Sequence, residues 1–212
     1  IGLAFDGDAD RLGVVTNAGE IIWPDRILMP LAEEVLARHP GAAVVYDIKC
    51  SRHLTRLIER LGGQPILWKT GHSLIKAKMR ETGALLGGEM TGHLVHADDW
   101  FGFDDAFYAA ARLLRLLAQQ ARSSHEFFAA YPTGLTTPEL RLDMAEDEPF
   151  AFMERLAAQA DFGPDAQMIT LDGLRVEFAH GWGLVRASNT TPSLVLRFEA
   201  DHPAAMTDIQ ER

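Results

Sequence analysis

The chain has 212 residues, 47% of them hydrophobic and 24% charged, and a formal net charge of -10. That composition supports real cores and excludes a disordered chain, while the acidity, with no basic stripe or basic–aromatic alternation, excludes nucleic acid as a partner. The one cysteine, Cys50, permits no internal disulfide, no apolar run approaches the ~20 residues of a membrane span, and no signal peptide is read, so a reducing, cytoplasmic setting is expected.

The chain opens on Ile1, without Met and inside a predicted strand, and reads as a piece of a longer protein. Two apolar runs, Ile1 to Phe5 and Leu12 to Val15, enclose Asp6-Gly7-Asp8-Ala9-Asp10-Arg11. Three carboxylates this close repel unless a cation neutralises them, and hard oxygen donors on a tight loop suit Mg2+. An EF-hand is excluded, because counting from Asp6 its glycine position holds Arg11 and its terminal glutamate position holds Asn17. On spacing alone, a polar turn between two strands also fits.

Strand and helix signals then alternate. Asn17-Ala18-Gly19-Glu20 predicts a hairpin turn before Ile21–Trp23. Asp25 is expected to cap a helix that Pro40-Gly41 stops, followed by a strand over Ala43–Asp47 and a helix capped by Ser51 and ended at Gly62-Gly63. A strand over Pro65–Trp68, a helix over Ser73–Glu81, a strand over Ala84–Gly87 and a long helix from Asp104 to Gln120 complete the series. In that last helix Phe107, Ala110, Ala111, Leu114 and Leu117 are expected along the buried face. Such alternation predicts a parallel, doubly wound α/β domain.

Breaks at Pro132-Thr133-Gly134 and Thr136-Thr137-Pro138 place a boundary near residue 132. Beyond it, a strand from Leu140, a helix over Phe150–Gln159, turns at Asp172-Gly173 and Gly181-Trp182-Gly183, strands over Leu184–Ala187 and Leu194–Glu199, and a helix from Pro203 predict a smaller α+β domain with a mostly antiparallel sheet.

Ligands of open parallel sheets gather where the strands end. Lys49 follows one strand, Lys69-Thr70-Gly71-His72 leads into a helix N-terminus suited to an anion, and Gly87-Gly88-Glu89-Met90-Thr91-Gly92-His93 follows the next strand, its Glu89 and Thr91 suited to sugar hydroxyls. Taken singly each is also what a solvated loop would carry; their recurrence at one edge is the signal. Arg186-Ala187-Ser188-Asn189-Thr190-Thr191-Pro192 combines a guanidinium, hydroxyls, an amide and backbone N–H groups, which fits a phosphate cradle, although a polar hairpin turn uses several of the same residues. No zinc site is expected, since the cysteine has no partners.

Together, Asp6-Gly-Asp-Ala-Asp-Arg11, Gly88-Glu-Met-Thr-Gly-His93 and Arg186-Ala-Ser-Asn-Thr-Thr-Pro192 resemble, in order, three signature loops of the alpha-D-phosphohexomutases, and the Lys69–His72 segment matches as well. The central loop is most similar to the bacterial phosphomannomutase/phosphoglucomutase branch, with Thr91 where Ser is commoner. The resemblance implies an intramolecular phosphotransferase, an isomerase, of four domains. Residues 1–20 would end domain 2 with its metal-binding loop, 21–132 would be the α/β sugar-binding domain 3, and 133–212 the α+β phosphate-binding domain 4. Domain 1, with its phosphoserine loop, is not in the sequence, where the one Ser-His pair is Ser124-His125.

The resemblance further implies that Asp6, Asp8 and Asp10 hold Mg2+, that Arg11 lies beside the transferring group and that His93 assists proton transfer or orientation. Lys49 and His72 would line the cleft, Glu89 and Thr91 would read sugar hydroxyls, and Arg186, Ser188, Asn189 and Thr190 would hold the phosphate that is not reacting. The partners implied are glucose or mannose 1- or 6-phosphate, a bisphosphate intermediate and the missing N-terminal phosphoserine domain, with the intact enzyme a monomer. A free-standing metal-dependent phosphatase or glycosyltransferase, or a sugar-phosphate-binding module without catalysis, are the alternatives. A haloacid-dehalogenase motif carries Thr or Val where Asp10 stands, and the phosphatase or glycosyltransferase reading leaves the Arg186 loop without a role; the binding module stays open for the isolated chain.

Overall fold

The computed structural model describes residues 1–146 and 148–212. Two compact units are present, Ile1–Thr133 and Gly134–Arg212, each built on cores of its own.

The first unit begins with an antiparallel sheet of β1 (Gly2–Phe5), β2 (Leu12–Val15) and β3 (Ile21–Ile22). Leu12, Val14 and Ile22 share one face and are buried in the main core. The expected hairpin turn forms between β2 and β3, where the Thr16 hydroxyl accepts from the N–H groups of Ala18 and Glu20. There follow α1 (Pro24–Arg38), β4 (Ala43–Asp47), α2 (Arg52–Arg60), β5 (Gln64–Trp68), α3 (His72–Thr82), β6 (Leu86–Gly88), β7 (Leu94–His96), α4 (Ala106–Ala118) and α5 (Ser124–Ala129).

The second sheet has the order β5-β4-β6-β7. β4 runs parallel to both neighbours and is buried along its whole length, as a strand covered on two faces must be. Helices α1, α2 and α4 share one core with Val44, Tyr46, Leu86 and Leu94, while Ile75 and Met79 of α3 pack with Val45 and Val95 on the other. Pro65 is tolerated because β5 is an edge strand, where a missing N–H costs little.

The first unit departs from the expected pattern in its first helix, its last strand and the buried face of α4. Asp25 does not cap α1: Trp23 is the N-cap, Pro24 takes the first helical position, and the Asp25 carboxylate instead accepts from the N–H groups of Arg26 and Ser51. Ser51 does cap α2, accepting from the His53 N–H. β7, short and antiparallel to β6, was not foreseen and makes the sheet mixed. In α4 the buried face is Ala106, Ala109, Ala110, Arg112 and Leu113, whereas Phe107 and Leu114 are exposed. Arg112 is buried because it donates to Glu34 Oε2 at 2.7 Å and to Asp98 at 2.9 and 3.0 Å.

The second unit holds β8 (Leu135–Thr136), β9 (Leu140–Asp143), α6 (Glu148–Gln159), β10 (Gln167–Ile169), β11 (Leu174–Phe178), β12 (Gly181–Ala187), β13 (Ser193–Ala200) and α7 (Pro203–Glu211). Every pairing is antiparallel, in the order β10-β11-β12-β13-β8 with β9 also on β13. α6 and α7 cover one face, through Met153 and Ile209. The opposite face carries charge: the Arg175 guanidinium stacks 3.8 Å from the Trp182 ring centre and donates to Glu177 at 2.6 Å, and Trp182 Nε1 donates to Glu199 at 3.1 Å. Gly181-Trp182-Gly183 lies in β12 instead of forming a turn, which falls at Ala179-His180.

No helix among the described residues is long and apolar enough to cross a membrane.

Candidate active site

The chain steps from β4 outward to β5, then crosses back through α3 to place β6 on the other side of β4. The loops leaving β4 and β6 therefore diverge, and a crevice opens above their carboxyl ends. Asp47, the last residue of β4, organises it from below. Fully buried, its Oδ1 accepts from Cys50 Sγ at 3.1 Å and the Met90 N–H at 3.2 Å, while Oδ2 accepts from Thr70 Oγ1 at 3.4 Å and lies 3.8 Å from Lys49 Nζ. One carboxylate thus fixes the loops after β4, β5 and β6. The predicted Lys49 is buried beside it.

Glu89 sits at the end of β6, also buried, and accepts a 2.5 Å hydrogen bond from the Gly71 N–H at the start of α3. Burial, then the charge of Asp47, push its carboxyl up to about 7, against the pull of the Gly71 N–H, Lys49 and His72. Thr91, in the same loop, is exposed.

The acidic loop is docked onto this edge. Residues Arg11 and His93 form an antiparallel bridge, the Leu12 N–H donates to the Gly92 carbonyl at 3.1 Å, and the Ala106 N–H donates to the Ala9 carbonyl at 3.1 Å. Gly92 has φ +107°, and a Cβ there would stand 3.2 Å from the Arg11 Cβ, so the close seat requires glycine. Asp6, Asp8 and Asp10 each bring one oxygen within 4.8 Å of the others. Desolvation disfavours the Asp6 carboxylate, yet the Arg11 N–H, the Asp10 side chain and the Arg11 guanidinium, 3.3 Å away, outweigh it and hold Asp6 below its ordinary value. Ala9 at the loop's tip adopts φ 58°, a left-handed conformation uncommon for a residue with a Cβ.

Asp104, which precedes α4, reaches into the same place. Its Oδ2 lies 2.5 Å from His72 Nδ1 and 3.0 Å from His93 Nδ1, and its Oδ1 pairs with Lys76. His93 Nδ1 is also 3.5 Å from Asp10 Oδ2, and the two imidazole centres are 4.7 Å apart. Burial disfavours the Asp104 carboxylate, but Lys76 and His72 hold it at about 2. Burial lowers His93, more strongly than Asp10 and Asp104 raise it. The β7–α4 loop that carries Asp104 is tied down by the Arg112–Asp98 pair and by Arg38, which pairs with Asp98 and Asp99.

In the second unit Arg186 is buried at the end of β12, with Nη2 3.3 Å from Asp172 Oδ1. The loop beyond it is held by its own hydroxyls: the N–H groups of Thr190 and Thr191 donate to Ser188 Oγ at 3.3 Å, and the Ser188 N–H donates to the Ser193 carbonyl at 2.9 Å. Asn189 and Thr190 stand exposed at its tip.

Comparison with known families agrees with this arrangement. Residues 23–133 match the model of the phosphoglucomutase/phosphomannomutase alpha/beta/alpha domain III, and residues 139–212 match the C-terminal domain of the same family.

The chain belongs to the phosphoglucomutase/phosphomannomutase family.

Among its relatives, a phosphomannomutase/phosphoglucomutase of Pseudomonas putida is 54% identical over 211 residues, covering 100% of this chain and 45% of that protein. A phosphoglucomutase of Neisseria gonorrhoeae is 54% identical over 213 residues, covering 100% and 46%. The crystal structure of a phosphoglucomutase/phosphomannomutase family protein from Burkholderia thailandensis superposes with a TM-score of 0.93 at 53% identity, over 99% of this chain and 44% of that one. The family member described here thus spans about half the length of the curated relatives it matches.

The structure brings Asp6, Asp8, Asp10, Arg11, His72, Glu89 and His93 to one edge of the first unit, and places Arg186 with its hydroxyl loop in the second. Asp47, Lys76 and Asp104 were missed. Each is a single charged residue, Asp47 and Asp104 beside an element end and Lys76 inside α3, and only their shared partners, invisible in a linear pattern, single them out.

Proposed function

We propose that this chain is the sugar- and phosphate-handling part of a phosphohexomutase whose intact form interconverts hexose 1-phosphate and hexose 6-phosphate, glucose or mannose, through a phosphoserine and a bisphosphate intermediate. The observation that carries this reading is the docking of the acidic loop against the Glu89–His93 loop, which sets phosphate chemistry beside sugar-hydroxyl acceptors. The names of the curated relatives support the same activity.

The three carboxylates fit Mg2+: all donors are hard oxygens on one loop, and Asp10 Oδ1 is buried with no hydrogen-bond partner among the described residues. When bound there, Mg2+ supplies charge neutralisation for the oxygens of a phosphoryl group. Arg11 would lie beside the transferring group, where its guanidinium complements the charge that phosphoryl transfer spreads over the equatorial oxygens. Glu89 accepts from sugar hydroxyls with Thr91 beside it, Lys49 and His72 line the cleft, and His93 holds or moves the proton of the attacking hydroxyl. A carboxyl near 7 can exchange a proton around neutrality, and burial, which lowers His93, leaves its imidazole available to accept one, which suits an enzyme that runs the same transfer in both directions. Arg186, Ser188, Asn189 and Thr190 hold the phosphate that is not reacting.

The test is a coupled assay on the intact protein. Glucose 1-phosphate and mannose 1-phosphate should each be converted to the 6-phosphate, with a glucose 1,6-bisphosphate requirement for the unphosphorylated enzyme. Release of inorganic phosphate without isomerisation would overturn the mutase reading in favour of a phosphatase.

A further inference from the structure

The geometry points to a second cation site beside the acidic loop: His72, His93, Asp10 and Asp104 form a pocket for Zn2+, and an ion held there takes Asp10 away from the acidic loop.

The four residues each offer one donor atom, and these atoms all lie within 4.8 Å of one another. A tetrahedral Zn2+ with ligands at about 2.0–2.1 Å sets its donors roughly 3.3 Å apart. The separations found are 2.5 Å for His72 Nδ1 to Asp104 Oδ2, 3.0 Å for His93 Nδ1 to the same oxygen, and 3.5 Å for His93 Nδ1 to Asp10 Oδ2. The first must open by under 1 Å to reach that spacing, and His72, with about half its side chain exposed, has the freedom to move.

Independent support comes from His93. Its residue is 7% exposed, yet Nδ1 is buried without an aligned hydrogen bond among the described residues, although it faces both carboxylates. A buried imidazole nitrogen left this way ordinarily costs stability, and a metal ligand is one resolution of it. The charge of the site agrees. Two carboxylates and two imidazole ligands balance a divalent ion once Lys76, whose ammonium pairs with Asp104 and competes for it, swings aside.

Donor chemistry separates this pocket from its neighbour. Two imidazoles favour Zn2+ over Mg2+, whereas the loop of Asp6, Asp8 and Asp10 offers oxygen alone. Because Asp10 is common to both groups, the two ions compete. A search for zinc spacing in the sequence looks for cysteines and paired histidines on one element; here the ligands come from β1–β2, the start of α3, the β6–β7 turn and the start of α4. The inference goes beyond the mutase reading and shares Asp10, His72 and His93 with it, so its test reads metal binding on this chain and not turnover.

The measurement is titration calorimetry with Zn2+, paired with the visible spectrum of the Co2+-loaded chain. Expected are one Zn2+ per chain, a strong d–d band of four-coordinate Co2+, and Mg2+ binding weakened by stoichiometric Zn2+. His72→Ala and Asp104→Asn should each weaken Zn2+ by about tenfold or more, the scale on which even outer-shell losses register. Asp8→Asn should leave Zn2+ binding intact while abolishing Mg2+ binding. Lys76→Ala should strengthen Zn2+ binding, since it removes a competing charge, and a variant that merely loosened the fold would do the reverse. His72 is half exposed, so its substitution keeps the test clear of misfolding, which circular dichroism checks. Zn2+ binding unchanged in His72→Ala and Asp104→Asn but lost in Asp8→Asn would place the ion in the acidic loop and overturn the proposal. So would a weak, six-coordinate Co2+ spectrum, or no Zn2+ binding at all.

Discussion

The Glu89 carboxylate accepts a 2.5 Å hydrogen bond from the Gly71 N–H, so the loop after β6 is tied to the first turn of α3 by a group that burial holds near neutrality in its titration. A carboxyl whose folded value, about 7, exceeds its ordinary 4.5 binds its proton more tightly in the folded chain. Stability from this group is therefore full below about 4.5, declines as pH rises to about 7, and stays reduced above that. Glu89→Gln keeps the acceptor and removes the buried charge. At pH 8 it should be more stable than the wild type by roughly 2–3 kcal/mol and unfold at a higher temperature, with the gap closing toward pH 5. Thermal denaturation across that range checks it; a gap that widens toward acid would refute the assignment.

Gly92→Ala should loosen the acidic loop. The substitution puts a side chain on a residue at φ +107° and within 3.2 Å of the Arg11 Cβ. A cost of about 1–3 kcal/mol in unfolding free energy is expected, together with weaker Mg2+ binding by calorimetry. Unchanged Mg2+ affinity would mean that the acidic loop keeps its shape without its seat on Gly92.

Arg112→Met should be among the most destabilising changes outside the site. It leaves Asp98, whose side chain is fully buried, and Glu34 short of their main partner. Removing one member of a buried pair costs about 3–5 kcal/mol, moderated here by Arg38 and Arg115 nearby. Urea denaturation of the chain measures this directly, and a loss under about 1 kcal/mol would show that Arg38 and Arg115 suffice.

Arg186 is expected to bind phosphate without taking part in the chemistry. In the intact protein Arg186→Ala should raise the Michaelis constants for glucose 1-phosphate and mannose 1-phosphate alike, by the equivalent of about 2–4 kcal/mol, and Arg186→Lys should recover part of this because an ammonium cannot reproduce the planar fork. Steady-state kinetics with both sugars decide it. An unchanged constant for either would return Arg186–Pro192 to the status of a polar turn.

Much of this was legible from the chain alone, for identifiable reasons. Asp6, Asp8 and Asp10 alternate with small residues between apolar strands, so their gathering on one tight loop follows; β4 is an apolar run up to Asp47, so its burial follows. What misled was hydrophobicity used as a proxy for burial. In α4 both possible stripes are apolar, and the buried one includes Arg112, which a periodicity argument counts as evidence for solvent although Glu34 and Asp98 make it a core residue. Glycine misled at Gly181-Trp182-Gly183 in a similar way. A Cβ on Gly181 would meet the Glu199 carbonyl at 2.2 Å, so glycine stands there for close strand packing instead of a turn. Asp47 and Asp104 were invisible because their roles exist only once three loops, or two histidines, have been brought to them.

The central place of β4 has a kinetic consequence. Val44 stands opposite Pro65 on one side and, about twice as far along the chain, opposite Leu86 on the other. Loop-closure entropy favours the nearer pairing, so β4, α2 and β5 can assemble as an early local nucleus, while β6 must wait for α3 to cross back. The loop that carries Glu89 and His93 is thus built by the last strand to arrive in the parallel part of the sheet. Substitutions there should speed unfolding and leave the refolding rate nearly untouched, whereas those in β4 should slow refolding. The Glu89–His93 side of the crevice sits on the part of the fold that the chain completes late and releases early, while Asp47 and Lys49 sit at the end of the early strand.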